Sequence, residues 1–414
     1  MIHIELPEDV RHIISSLRAS GYEAYVVGGC VRDCLLNSIP KDWDITTSAF
    51  PDDVKRIFTK TIDTGIKHGT VTVMLKGTGY EVTTYRVDGE YLDGRHPENV
   101  SFTASLDEDL KRRDFTINAF AYSDETGVKD LFEGLDDLKN GVIRCVGNPK
   151  ERFGEDALRI LRAVRFAAKL GFRIEPETYK ACVELRYKLS KVSSERIKAE
   201  IDKILVSPNP GHICMLKETG ISQVIMPELD KADISGLPGV LENSGAELSV
   251  RWAVLCFFLS QSGKKEAAAG MMHRLKFDNK TRDRVLLFLK TAEEMLPVPG
   301  TPGFRKACRI LINHVGKEEV LPFLSFCEAL STAFPLYDND YKALTEEIKD
   351  IFEKKECTSL KELAINGKDI LDITNAGGKE IGRMLDKLLK EVMEDPGLNR
   401  KEELLKLVSE MTGA

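Results

Sequence analysis

Apolar and polar positions alternate over short stretches in the first third of the chain and repeat at helical spacing in the rest. Residues 24–29 (AYVVGG), 70–75 (TVTVML) and 80–86 (YEVTTYR) are β-branched runs that predict strands. Turn signals at Lys76-Gly77-Thr78-Gly79, Asp88-Gly89 and Asp93-Gly94 punctuate them. From about residue 150 helix follows helix to the last residues; the first long one is predicted over 151–170, with Gly171 as its C-cap. The cluster SPNPG (207–211) marks a boundary and LPVPGTPG (296–303) a further loop, with no internal repeat and no low-complexity tract. The pattern predicts an α+β N-terminal region followed by a long all-α extension.

Composition narrows the class. A chain of 414 residues is long enough for two to four domains with their own cores. Its 59 Lys and Arg against 66 Asp and Glu give a net charge of −7, which excludes a partner held by bulk positive charge. The basic groups are unevenly spread: residues 150–203 hold 14 Lys/Arg and 9 Asp/Glu, including Arg186, Lys188, Lys191, Arg196 and Lys198. Nine scattered cysteines without C-x-x-C spacing read as reduced thiols; the nearest two, Cys30 and Cys34, fall on a predicted helix. The first residues, MIHIELPEDVRHII, lack a basic-then-apolar leader, and the longest strongly apolar run, Trp252–Leu259, is shorter than the ~20 residues of a membrane span. A soluble, cytoplasmic protein with no membrane partner is expected.

Candidate chemistry begins at KDWDITTS, where Asp42 and Asp44 are one residue apart. On a strand, i and i+2 side chains share a face, and a divalent cation with substrate phosphates is a reason to keep two carboxylates together there. Just upstream, VVGGCVRDCLL joins an apolar strand through Gly28 and Gly29 to a helix start carrying Arg32, an arrangement that lets backbone N–H groups approach a phosphate. Downstream, RRDFTINA supplies Arg112, Arg113, Asp114 and Asn118. Two arginines suit triphosphate oxygens, although one of them could instead pair with Asp107, Glu108 or Asp109; either Asp114 or Asn118 could read a ribose hydroxyl. The stretch EDALRILRAVRF places Glu155, Asp156, Arg159, Arg162 and Arg165 on one predicted helix, with 156/159 and 159/162 as i, i+3 neighbours.

GGCVRD (28–33), DWD (42–44), RRDFTINA (112–119) and EDALRILRAVRFAAKLGF (155–172), in this order, resemble the bacterial class II tRNA nucleotidyltransferases, the CCA-adding enzymes, and their poly(A) polymerase relatives. The resemblance runs from about 20 to 205 and returns at LAINGKDI (363–370). It implies a polymerase-β-like nucleotidyltransferase head over 1–140, a base-reading neck over 141–206, a helical body over 207–328 and a tRNA-binding helical tail over 329–414. It also implies Mg²⁺ as cofactor, with Asp42 and Asp44 as its ligands and Glu81 as a third catalytic carboxylate, and a tRNA 3′ end, CTP and ATP as partners. By the same resemblance Asp156 and Arg159 read the base, Arg113 contacts nucleotide, Asp114 helps select ribose, and Arg162 and Arg165 lie near the triphosphate.

The base-reading assignment has a physical basis. Cytosine and adenine both present an amino donor beside a ring-nitrogen acceptor, which an Asp acceptor and an Arg donor match; guanine and uracil present a carbonyl instead of the amino group. The weakly patterned segment 86–102 (RVDGEYLDGRHPENVSF) reads as a loop beside the site or as a passive connector. KEIGRMLDKLLKEV (379–392) reads as an amphipathic surface helix. Three readings compete with full CCA addition: an A-adding enzyme, a poly(A) polymerase, and an inactive RNA-binding protein with a nucleotidyltransferase head. Pairing with a second copy of the chain stays open.

Overall fold

A computed structural model describes residues 2–88, 100–261, 266–374 and 376–412, which form two compact units, Met1–Lys231 with Arg274–Lys276 and Ala232–His273 with Phe277–Ala414. The loop expected within 86–102 lies mostly outside the described residues.

The first unit opens with helix α1 (Glu8–Ala19), whose Val10, Ile13, Ile14 and Leu17 recur at helical spacing and are buried. Seven strands then form one mixed sheet: β1 (Ala24–Val27), β2 (Asp44–Thr47), β3 (Thr61–Gly65), β4 (Thr70–Leu75), β5 (Thr78–Thr84), β8 (Phe120–Ser123) and β9 (Gly127–Asp130), in the spatial order β3-β4-β5-β2-β1-β8-β9. Two short strands, β6 (Arg86–Asp88) and β7 (Val100–Phe102), pair separately. Helix α2 (Gly29–Leu35) follows β1, α3 (Pro51–Ile57) follows β2, and α4 (Leu106–Lys111) and α5 (Gly134–Lys139) complete the head.

The pairing that matters most is β2 with β5, the only parallel pair of the large sheet among the described residues, which sets Asp44 opposite Glu81 and Ile45 opposite Val82. Ile45 and Val82 are buried while the two acids at the strand row before them are exposed, so the sheet delivers the carboxylates at the edge of its core.

Beyond the head the sequence turns helical, with α6 (Pro149–Glu155), α7 (Leu158–Leu170), α8 (Pro176–Leu185) and α9 (Ser194–Leu205). Gly171 ends α7 in the left-handed conformation, as its position after the apolar run predicts. The SPNPG segment packs back on that helix end, where Asn209 Nδ2 donates to the Ala168 carbonyl at 2.9 Å. A single helix over 151–170 does not form: the segment is two helices broken at Asp156, a correction whose cause belongs to the site below.

The second unit is all-helical among its described residues. Helix Leu248–Ser260, which contains the longest apolar run, is buried from Ser249 to Leu259 on every side, as expected of a core helix without a polar face. Phe257 meets Phe326, Phe334 and Tyr337 edge-on. A second cluster gathers Ile370, Leu388, Val392, Leu404 and Val408 around helix Gly378–Glu394, whose Lys379, Arg383, Lys387 and Lys390 stay exposed. Arg309, buried on helix Phe304–Val315, ties that helix to Glu356 and to the Met393 carbonyl of helix Gly378–Glu394, both at 2.6 Å. No helix among the described residues is long and apolar enough to cross a membrane.

Ile45 is central to the strand row that carries Asp44. Ile45→Ala should cost about 2–5 kcal/mol of stability, read as a lower urea midpoint of the full chain.

Candidate active site

Asp44 is the first residue of β2, and Glu81 is its partner in register on β5. Neighbouring strands stand about 4.8 Å apart, so two carboxylates in one row of a parallel pair face the same way at close range. Asp42 departs from expectation: it lies in the bend before β2 rather than on the strand. Pro40, which has no N–H to give a ladder, stands in the approach to β2 and keeps that approach irregular. Asp42 nevertheless acts on the same charge cluster. Partial loss of water in the concave site raises the Asp44 carboxyl above its ordinary range, Arg113 opposes this, and Asp42 adds to it. Glu81 is raised by the same loss of water and then by Asp44 and Asp42.

No group of three or more His, Cys, Asp or Glu among the described residues is already drawn in as a metal cage. What is present is a set of hard oxygen donors, Asp44 at the start of β2, Glu81 beside it on β5 and Asp42 in the preceding bend, repelling one another, with Arg113 as a positive neighbour of Asp44. That donor set fits a divalent cation that keeps waters and takes further oxygens from a substrate phosphate. Below Asp44, Cys30 Sγ lies 3.2 Å from the Val27 carbonyl oxygen, and burial pushes this thiol up to about 12, so it is inert as a nucleophile.

The turn from β1 to α2 brings backbone close to this edge. Gly28 has φ 76°, and a Cβ there would lie 2.8 Å from Arg113 Nη1, so the left-handed turn and the guanidinium approach both require glycine. Arg112 and Arg113 share the buried Asp109: Arg112 donates through Nε at 3.0 Å and Nη2 at 2.8 Å, Arg113 through Nη2 at 3.4 Å. Burial alone would raise the Asp109 carboxyl; the two guanidiniums overcome it and hold the group ionised. Both arginines, not one, are therefore anchored to this local acid.

Asp114 is fixed more tightly still. It accepts from Arg162 Nε at 2.7 Å and also from Arg162 Nη2, from Asn118 Nδ2 at 3.0 Å and from the Phe115 N–H at 2.9 Å. Burial works against its charge, but Arg162 and Asn118 bring its pKa down to about 2. Asn118 in turn accepts from Arg32 Nη1, and Arg32 donates to Asp33 through Nε at 2.9 Å and Nη2 at 2.6 Å.

The base-reading candidates sit where α6 stops and α7 starts. Asp156 has φ −132° and ψ 104°, outside the helix, and its Oδ1 accepts the Leu158 N–H at 3.0 Å. An Asp that bonds the backbone two residues on competes with the helix and starts the next one, which is why 155–165 is not one helix. Asp156 and Arg159 are consequently held by different partners. Arg196 Nη2, from α9, donates to Asp156 Oδ2 at 2.9 Å. Arg159 donates to Glu155 at 2.7 Å and to the Arg112 carbonyl at 2.9 Å, which joins the neck helix to the head. Arg165 pairs with Glu200 on α9 at 3.1 Å.

One cavity of about 940 Å³ connects these groups. Its walls include Gly28, Gly29, Arg32, Asp44, Arg112, Arg113, Asp114, Asn118, Asp156, Arg159, Arg162 and Arg165. Asp42 and Glu81 do not line it; their link to it is the charge coupling with Asp44. The walls also include Lys41, Leu158, Phe166, Lys169, Arg196, Lys203 and residues 206–208, which the sequence did not single out as site residues. Lys41, beside Asp42, and Lys169, one turn beyond Arg165, could have been found from spacing; Arg196 and Lys203 join only because α9 packs on α7. Ten basic against three acidic side chains line the cavity, an excess suited to a polyanion.

A cavity lined by Asp44, whose carboxylate neighbours lie just outside it, by arginines and by a fixed Asp–Arg pair, on a polymerase-type head, defines a nucleotidyltransferase. The comparisons agree. Residues 24–144 match the poly A polymerase head domain, 171–233 the "Probable RNA and SrmB-binding site of polymerase A", and 247–408 a tRNA nucleotidyltransferase domain 2. The CCA-adding enzymes of Limosilactobacillus reuteri and Ligilactobacillus salivarius are each 38% identical, over 98% of this chain and 97% of theirs. The crystal structure of the Bacillus stearothermophilus CCA-adding enzyme in complex with CTP aligns with a TM-score of 0.82 at 33% identity, over 97% of this chain and 96% of that one. The chain belongs to the CCA-adding enzyme family.

The pKa of Asp114 makes a prediction with a definite sign. A carboxyl held near 2 against an ordinary 3.8 stabilises the fold fully above pH 4 and loses that contribution as pH falls towards 2. Asp114→Asn should cost roughly 2 kcal/mol at neutral pH, and the gap between wild type and variant, measured by denaturant unfolding, should narrow between pH 4 and pH 2.

Proposed function

We propose that this chain adds CCA to the 3′ end of tRNA from CTP and ATP without a nucleic-acid template, releasing pyrophosphate at each step. The observation that carries the reading is that one cavity links Asp44 to the Asp156–Arg159 pair, so the base reader and the reacting end open on the same space. Asp156, fixed by Arg196 and the Leu158 N–H, offers carboxylate lone pairs to an exocyclic amino group. Arg159, fixed by Glu155 and the Arg112 carbonyl, offers N–H donors to the neighbouring ring nitrogen. Uracil and guanine put a carbonyl against the carboxylate, and failed pairing in such a site discriminates strongly.

Arg112, Arg113 and Arg162 hold the triphosphate, and Gly28 and Gly29 let it approach the β1–α2 turn. Asp114 is wholly engaged with Arg162, Asn118 and backbone, so it selects ribose by fixing Asn118 and Arg162 in place. Asp42, Asp44 and Glu81 would hold Mg²⁺, which would supply Lewis-acid activation of the attacking 3′ hydroxyl and charge stabilisation on the phosphates. The tRNA hydroxyl forms its bond to the α-phosphorus as the bond to pyrophosphate breaks.

For the longer RNA body, the proposed division is a head over 1–140, a neck over 141–206, a body over 207–328 and a tail over 329–414. The exposed row Lys379, Arg383, Lys387 and Lys390 is matched to the phosphates of an A-form surface read by shape.

The test offers tRNAs ending before, within and after CC with CTP, ATP or both. Products of exactly the missing length support CCA addition. A single A after CC with no C incorporation identifies an A-adding enzyme, long A tracts identify a poly(A) polymerase, and RNA binding without any product identifies an inactive relative. Asp44→Asn or chelation of divalent metal should abolish product while tRNA binding persists. Arg196→Ala should reduce the CTP/UTP ratio of kcat/KM by about tenfold or more, since it releases Asp156 without removing it.

A further inference from the structure

Phe166 is an apolar ring in a wall of cations. It lies on α7, is 5% exposed and lines the cavity. The Cζ atoms of Arg32, Arg162 and Arg165 stand 5.2, 5.4 and 4.2 Å from its ring centroid. Its other large neighbour is Phe115 of the RRDF segment, edge-on at 5.7 Å. Arg162 and Arg165 precede Phe166 on α7 by four residues and one, Arg32 comes from α2, and the three have different anions: Asp33 for Arg32, Asp114 for Arg162, Glu200 for Arg165. Asn118 already links two of them, accepting from Arg32 and donating to the Asp114 that holds Arg162; the ring is a group that all three, Arg165 included, have in common.

Convergence is opposed by charge. Burial, and then the repulsion of Arg162, bring Arg165 down to about 10 despite Glu200, and Lys169, one turn beyond Phe166, is lowered by burial and by Arg32. A further carboxylate could relieve that crowding, but it would also cancel the charge that attracts a phosphate. The negative face of an aromatic ring attracts each guanidinium and leaves its full charge available. A purely structural Phe would be as well served by leucine; a ring that gathers cations would not.

We propose that Phe166 is a positioning residue that gathers Arg32, Arg162 and Arg165 into one phosphate-binding cluster for the triphosphate of the incoming nucleotide. The inference rests on the nucleotidyltransferase reading of the cavity. Its consequence is selective: removing the ring should weaken everything that carries the triphosphate and spare what carries only the base.

The test compares full-length wild type with Phe166→Leu, Phe166→Met and Phe166→Tyr. Calorimetry measures binding of inorganic tripolyphosphate and of CTP, and competition measures binding of cytidine. Phe166→Leu should weaken tripolyphosphate and CTP by about tenfold, raise KM for CTP and ATP alike with kcat changed far less, and leave cytidine competition within twofold. Phe166→Tyr, which keeps the ring, should restore the wild-type values. Should the leucine variant fail to fold, Phe166→Met, of similar volume and without a ring, carries the same expectation. Equal losses for cytidine and tripolyphosphate, or unchanged tripolyphosphate binding in the ringless variants, would overturn the proposal. Wild type that binds neither CTP nor tripolyphosphate would instead overturn the nucleotidyltransferase reading itself.

Discussion

The site depends on keeping like charges together. Asp44 opens β2 opposite Glu81 of β5, Asp42 adds its charge from the bend before β2, and ten basic groups line the cavity that begins at Asp44. Neither group would stay assembled through its own interactions. Asp44 and Glu81 are placed by the β2–β5 ladder, whose next row, Ile45 and Val82, is buried and makes a one-residue slip expensive, because a slip would turn the apolar row outward. The register therefore fixes the carboxylates as a by-product of core burial.

Six of the cations are placed differently, each by an acid that anchors it. Asp109 holds Arg112 and Arg113, Asp114 holds Arg162, Glu155 holds Arg159, Glu200 holds Arg165 and Asp33 holds Arg32. Buried ion pairs are poor sources of net stability because desolvation offsets much of their attraction. Their value here is geometric: a side chain with several rotatable bonds is reduced to one orientation before substrate arrives, so less is lost on binding. The cost of the arrangement is that removal of any backing acid leaves a buried charge unpaired. Several anchors run from α7 to the RRDF segment, as with Arg162 to Asp114 and Arg159 to the Arg112 carbonyl, so the two sides of the cavity are registered against each other.

This division explains which parts were legible in the sequence. Asp42 and Asp44 announce themselves by spacing, and YEVTTYR announces a strand that can lie beside them, because strand pairing obeys a local period. The break at Asp156 was hidden by the apolar periodicity on either side of it, although Asp before an apolar run is itself a helix-start signal. Apolar periodicity reports which face is buried; it does not report continuity. Arg196 and Lys203 could not be assigned because their roles depend on how α9 packs against α7, and no local pattern encodes that contact. Asp42 lies off the strand for a local reason, the approach through Pro40, that a strict reading of D-x-D as one strand overlooked.

Charge must be read at the same scale. A net −7 over the chain and ten basic groups in one cavity coexist because most acids are spent elsewhere or lie behind arginines. An acidic protein repels RNA weakly at long range, where salt screens the field over about 10 Å, while a confined cationic wall acts within that distance. Bulk charge then limits indiscriminate binding, and affinity is confined to ligands whose phosphates reach the wall. A local field without a global one therefore favours anions small enough to enter the cavity over a long polyanion held along its whole length.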